Sequence, residues 1–306
     1  MHSPTWPSGR EVRLRDTGAT GTAYPVFRDC HVHLGLVDPA RLPAGGIGAV
    51  VDLGWSPDIV DLGGPLDVVY AGRFLAAPGG YPSDRSWAPV GSVTGVASPD
   101  DATNCVVDQL FLGAGVIKVT LNAEAGPVLD PPTLAAVVSA AHAASRQVVA
   151  HAQGTGMVER ALVAEVDVLA HTPWTERLPD DIVAEAARRQ AWISTLDIHG
   201  YGEPTADRVR AIDNLARFRD AGGRVLYGTD LGNGPLPVGL NAREITALTH
   251  AGLTDEEIIE AVTSDWPAPV EGAGDRVTFV PGERGPLTEW LAGASVVPVE
   301  DLEGLA

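Results

Sequence analysis

The chain has 306 residues and a formal net charge of −19 at neutral pH. That much acid argues against nucleic acid, whose binding relies on basic side chains neutralising phosphates, and against docking on an anionic membrane. No run of about 18 apolar residues marks a transmembrane helix, and the polar start MHSPTWPSGREVRLRD lacks the apolar centre of a signal peptide.

In chain order, EVRLRD is strand-like, and so is DRVTFV near the other end. Residues 1–26 and 272–306 are therefore expected to form a reduced flanking β element around a main unit of residues 27–271. In that unit, β-rich runs at 27–34, 47–53, 67–71, 116–121, 147–152, 166–171, 192–196 and 224–229 alternate with helical patterns such as TLAAVVSAAHAASRQ, DDIVAEAARRQ and TADRVRAIDNLARFRDAG. The last has apolar residues at helical spacing and a Gly-Gly stop. Most β-rich runs are continuously apolar, as expected of parallel strands covered on both faces. Eight strands with interposed helices predict an α/β fold of the (β/α)8 TIM barrel type. An open doubly wound sheet is the alternative, but no glycine-rich phosphate fingerprint supports it, and the glycines of DLGGPLD mark a turn. Two long Pro/Gly-rich connections, RFLAAPGGYPSDRSWAPVGSVTG and LGNGPLPVGLN, follow the third and eighth runs. In a barrel such loops lie on the catalytic face. The two cysteines, Cys30 and Cys105, make no disulfide framework and are expected reduced and buried in a cytoplasmic protein.

Polar residues gather where the runs end. FRDCHVHLG carries His31 and His33, two apart and so on one side of a strand. VVAHAQG carries His151, VLAHTPW carries His171, and LYGTDLG carries Asp230. Imidazole and carboxylate ligands suit divalent transition metals such as zinc. Any one of these histidines alone reads better as a satisfied core or loop residue; four at corresponding strand ends, with an aspartate, read as a metal site. His2 is terminal, and His142 and His250 lie in helical patterns with structural roles.

GVIKVTLN holds the only lysine of the chain, Lys118; every other basic residue is arginine. A buried ammonium is costly and its pKa falls readily. The neutral amine can add carbon dioxide, giving an anionic carbamate with two ligand oxygens. A guanidinium stays protonated and cannot. A lysine snorkelling to the barrel mouth is the plainer alternative.

The order and spacing of FRDCHVHLGL, GAVVDLG, GRFLAAPGGYPS, GVIKVTLN, HAQGTGMVERALVAEVDVLAHTPW, YGTDLG and LTHAGLTDEEIIEAVTSDWPAP resemble the amidohydrolase superfamily. The likeness is to its imidazolonepropionase-like and prolidase-like branch, over roughly residues 27–267. It implies two divalent ions, zinc first, with manganese, iron or cobalt as the other candidates. His31, His33 and Asp230 would hold one ion and His151 and His171 the other. Carbamylated Lys118 and a hydroxide would bridge them. Asp230 would be the general base, with His171 and Lys118 also in the catalytic centre. Two features depart from the pattern: Gln153 stands where many relatives have a second histidine, and the flanking β-sandwich is cut down.

The implied reaction is hydrolysis of a C–N bond in an amide, N-acyl amino acid, dipeptide or cyclic amide. Ester or lactone hydrolysis, deamination on the same metals, or a non-catalytic small-molecule-binding barrel are the rivals. On the substrate side, Arg73, Tyr81, Arg85 and Trp87 belong to or adjoin the third loop, where an arginine could grip a carboxylate. His199 follows the seventh run and is expected at the substrate, with Trp55, Trp174 and Tyr201 as walls. The partner expected is a small molecule, and a homo-oligomer stays open.

Overall fold

The computed structural model describes residues 9–56, 66–268 and 275–304. His2, most of the turn expected at DLGGPLD and the boundary expected at 271–272 lie outside the described residues. The chain begins with an antiparallel pair, β1 (Arg10–Leu14) and β2 (Thr20–Tyr24). A three-stranded parallel sheet follows: β3 (Phe27–Val32), β4 (Ile47–Asp52) and β5 (Asp67–Tyr70). Next come β6 (Phe74–Ala76), β7 (Val93–Gly95) and helix α1 (Pro99–Phe111).

From there strand and helix alternate. β8 (Ile117–Asn122) leads to α2 (Pro131–Ala143), β9 (Val148–Gln153) to α3 (Met157–Val163) and β10 (Val168–Leu169) to α4 (Asp180–Arg189). β11 (Ala191–Ile193) leads to α5 (Ala206–Asp220), and β12 (Arg224–Leu226) to α6 (Ala242–His250) and α7 (Asp255–Val262). Four helices, α2, α5, α6 and α7, start on side chains that satisfy free N–H groups. Asp130 accepts from Thr133 N–H at 2.8 Å, and Thr254 and Glu257 form a reciprocal capping box. β6 to β12 form one seven-stranded parallel sheet in the order β12-β11-β10-β9-β8-β6-β7.

All eight expected runs are strands, and the third loop contributes two more. β6 continues where β5 stops. The break falls at Gly72, in the left-handed region at φ +74. There Gln109 of α1 accepts the Arg73 N–H at 2.7 Å, replacing the partner that a straight ladder would supply.

The three-stranded sheet hydrogen-bonds to the seven-stranded one along both of its own edges. At one, Cys30 N–H donates to Tyr227 O (2.9 Å) and His33 N–H to Leu231 O (2.8 Å); at the other, Gly115 N–H donates to Tyr70 O (2.8 Å). Strand side chains alternate between two apolar clusters. Cys30, Val51, Val149, Val168, Ile193 and Leu226 fall in the smaller one, while Val32, Val50, Val148, Leu169, Trp192 and Tyr227 join the larger one with the helices. Strands covered on both faces have no polar side, which is why these runs read as continuously apolar.

The chain closes with β13 (Arg276–Pro281), helix α8 (Leu287–Leu291), β14 (Ser295–Pro298) and β15 (Leu302–Gly304). These strands join β1 and β2 in a five-stranded antiparallel sheet, order β14-β13-β2-β1-β15. EVRLRD and DRVTFV thus share a sheet, with β2 between them. Cys30 and Cys105 are both buried and unpaired. No helix among the described residues is long and apolar enough to cross a membrane.

Candidate active site

Four imidazoles meet at the C-terminal ends of β3, β9 and β10. The ring centroids of His33 and His31 are 5.2 Å apart, those of His31 and His171 4.7 Å, and those of His171 and His151 4.9 Å. Backbone carbonyls fix two of the rings. His31 Nδ1 lies 2.8 Å from Ala170 O, and His33 Nδ1 lies 3.0 Å from Gly54 O. A carbonyl only accepts, so Nδ1 carries a proton in both rings, and a neutral His31 offers a lone pair at Nε2. His171 Nδ1 is 2.9 Å from Thr195 Oγ1. Burial holds His31 and His171 well below the ordinary histidine value and His151 down at about 4.

Asp230 follows β12. Its Oδ1 is 3.1 Å from His31 Nε2 and 3.2 Å from His33 Nε2, and its Oδ2 accepts from Asn233 Nδ2 at 2.8 Å. Burial, the largest influence, would raise this carboxyl; attraction to His31, the hydrogen bond from His33 and attraction to His171 together hold it well below its usual range. Its backbone is tied to β3 through Asp29, which accepts the N–H of both His31 and Thr229 at 3.0 Å. One carboxylate thus sets two site residues that lie 199 positions apart in sequence. Asp52 does the same for the loop around His33, accepting from Leu34 N–H (2.8 Å) and Gly54 N–H (3.0 Å).

Lys118, on β8, is only 2% exposed. Burial pulls its ammonium down to about 7, against the opposing attraction of Asp230 and Asp52. Thr120 and Asn122 follow it on the same face of the strand. The Thr120 hydroxyl donates to Tyr81 O at 2.6 Å, pinning the third loop. Asn122 Nδ2 donates to Gln153 Oε1 at 2.8 Å.

A cation fits this donor set. His31 Nε2 is buried with no hydrogen-bond partner, and its lone pair points at a carboxylate oxygen. Two electron-rich atoms in that position require a proton or a metal between them. Ligand atoms of His31, His171 and Asp230 all lie within 4.8 Å of one another, a neighbourhood suited to metal–ligand bonds of about 2.0–2.2 Å. This trio takes one member from the pair expected at the second ion.

A cavity of about 200 Å³ opens over these groups, lined by all six expected ligands and by Tyr81, Trp87 and His199. Phe74, Trp174 and Tyr201 also line it, with Thr120, Gln153, Ile198 and Asn233. Arg73 is not among the lining residues. Arg85 lies over the Tyr81 ring at 5.5 Å and pairs with Asp84 at 3.3 Å. Trp55 backs Trp87 in a stacked pair, with centroids 6.3 Å apart. His142 bonds Asp167 on the surface at 2.9 Å. Sequence reasoning missed Asp29, Asp52, Asn122, Thr195 and Asn233. For Asn122 a signal existed in its period-2 spacing from Lys118; Thr195 offered none.

No family model matches this chain, and no curated protein matches it in sequence. Among solved structures, it is similar to a Xaa-Pro dipeptidase with bound methionine in the active site, at 19% identity and a TM-score of 0.71, covering 93% of this chain and 87% of the other. It is also similar to A. niger ochratoxinase, at 19% identity and a TM-score of 0.68 over 89% of this chain and 79% of the other. A third likeness is to the bottromycin amidohydrolase, at 20% identity and 0.60 over 91% and 77%. The chain therefore has the fold that prolidases and amidohydrolases of known structure share.

Proposed function

We propose that this chain is a metal-dependent amidohydrolase, built on a closed (β/α)8 barrel and cleaving an amide-type C–N bond of a small molecule. The hydrogen bonds at both junctions of the parallel sheets support closure, as does the separate cluster of inward-facing apolar side chains. The observation that carries the function is the convergence of His31, His33, Lys118, His151, His171 and Asp230 on one cavity, with His31 Nε2 unpartnered opposite Asp230. These six residues would hold two divalent ions, zinc first, with Lys118 as its carbamate. When bound, the ions would supply an acidified water and a polarised substrate carbonyl.

The remaining work belongs to the chain's own groups. Ionised Asp230 takes a proton from the attacking water at Oδ1 and returns it to the leaving nitrogen. Asn233 steadies this carboxylate by holding Oδ2. Burial lowers the Lys118 pKa, which keeps a share of its amine neutral and able to take up carbon dioxide. The aromatic walls exclude bulk water from the reacting bond.

Elemental analysis of purified protein tests the proposal. Close to two divalent ions per chain are expected, and chelation should abolish amide hydrolysis. Active protein with only trace metal would refute the reading. One ion per chain would indicate a mononuclear site with Lys118 unmodified.

A further inference from the structure

The charge and shape of the cavity above the imidazoles narrow what it accepts. Among the described residues no arginine lines it, and its one lysine is Lys118, buried among the ligands. Residues 1–8, 57–65, 269–274 and 305–306, outside the described set, contain neither lysine nor arginine. Arg210 bonds Trp174 O and Asp207, and Arg243 pairs with buried Asp197 at 2.8 Å. Arg85 is not among the lining residues; its Nε lies 3.3 Å from Asp84 and makes no hydrogen bond.

Much of the wall is aromatic, beside the polar side chains of Thr120, Gln153 and Asn233. Trp87 is backed by Trp55 and meets Phe74 and Tyr81 edge-on, with centroids 6.2 and 6.1 Å away. Tyr81 stacks on His151 at 5.1 Å. On another wall Trp174 lies edge-on to His171 at 5.4 Å and against His199 at 4.7 Å. His199 Nε2 is buried, borders the cavity and has no hydrogen-bond partner. An adjoining cavity of about 230 Å³ shares Tyr81 and Trp87, leaving room for a ring beside the reacting bond.

We propose that the site takes an uncharged amide bearing a flat apolar ring, seated against Trp87, Tyr81 and Trp174, and that it rejects substrates with a free carboxylate. This rests on the hydrolase reading above. A carboxylate placed away from the metal ligands would be desolvated with no cation to answer it. A ring gains offset or edge contacts with the aromatic walls, and a neutral polar substituent can satisfy His199 Nε2.

Three probes separate the cases: N-benzoylglycinamide (ring, uncharged), N-benzoylglycine (ring, carboxylate) and N-acetylglycinamide (uncharged, no ring). With the metal-loaded full chain, kcat/KM for the first should exceed each of the others roughly 100-fold or more, since an unanswered buried group is heavily penalised. Calorimetric binding should give the same order, and Trp87→Ala should weaken the first probe by about tenfold and so narrow its advantage over the third. Tighter or faster handling of N-benzoylglycine would overturn the inference and leave the hydrolase reading intact. Arg85→Ala would then identify the cation, by losing that preference. Equal handling of N-acetylglycinamide would overturn the ring requirement. Binding in the expected order without turnover of any probe would support the inference and overturn the hydrolase reading.

Discussion

Asp230 sits in the left-handed backbone region at φ +58, which a residue with a Cβ adopts only where its surroundings demand it. Those surroundings are Asp29 bonding Thr229 just before it and Asn233 bonding its side chain just after. Asparagine tolerates the same backbone region, so Asp230→Asn should fold and melt as the parent does. It loses the basic oxygen, and kcat should fall by roughly 10²–10⁴-fold. A folded variant with full turnover would remove Asp230 from the proton path. Lys118 makes a different demand. If the site needs a carbamate, Lys118→Arg should be inactive although it keeps the charge. Lys118→Ala should regain part of its activity, and of its metal content, when a small carboxylic acid such as acetate fills the gap; the same acid should do nothing for Lys118→Arg. Full activity of Lys118→Arg would make the lysine structural.

The elements aim these residues, and two backbone irregularities matter most. Thr195, just after β11, is β-branched yet has φ +43, and its hydroxyl meets His171 Nδ1. Such an outlier persists where neighbours over-determine it, and its cost is tied to the orientation of the His171 ring. Gly72 separates β5 from β6. A Cβ there would stand 2.6 Å from Gln109 Oε1 at a φ that L residues avoid. Gly72→Ala should therefore destabilise the fold by about 1–3 kcal/mol, read as a lower denaturation midpoint, with activity lost in step because Phe74 borders the cavity. An unchanged midpoint would show that the break tolerates a side chain. The positions of the eight main runs were legible because covered parallel strands leave an unmistakable apolar record. The ligand candidates were legible because polar residues at the ends of such runs stand out. β6 and β7 were not, since three-residue strands in a Pro/Gly-rich stretch carry too little pattern. Nor was the absence of Arg73 from the cavity: near the ligands in sequence, it follows the Gly72 break, and only the folded backbone shows which residues border the site.

In the whole molecule the terminal sheet is fastened to the parallel one by Thr278 of β13, whose hydroxyl accepts from Phe27 N–H at 2.9 Å and donates to Gly46 O at 3.1 Å. The larger global cost lies in the buried imidazoles. The fold holds His31, His151, His171 and His199 below the ordinary value of 6.5, the last at about 4, each chiefly through burial. Unfolded, each takes a proton as pH drops through about 6.5; folded, it resists. Their contribution to stability is therefore complete above that value and is lost as pH falls towards 4. Glu244, raised by burial to about 7, works the other way: its contribution is present at low pH and lost as pH rises through 7. The imidazole loss at pH 5 is roughly 2 kcal/mol for each ring held neutral, from a gap of about 1.5 between pH 5 and the unfolded value. His199 is the one of the four outside the expected ligand set, so it isolates the effect. In chelator-treated protein, His199→Asn should change the unfolding free energy at pH 5 relative to pH 7 by about 2 kcal/mol in favour of pH 5. Denaturant titrations of parent and variant at both pH values measure it. Parallel pH dependences would mean that His199 takes up its proton as readily folded as unfolded, and that it stands in water rather than against Trp174.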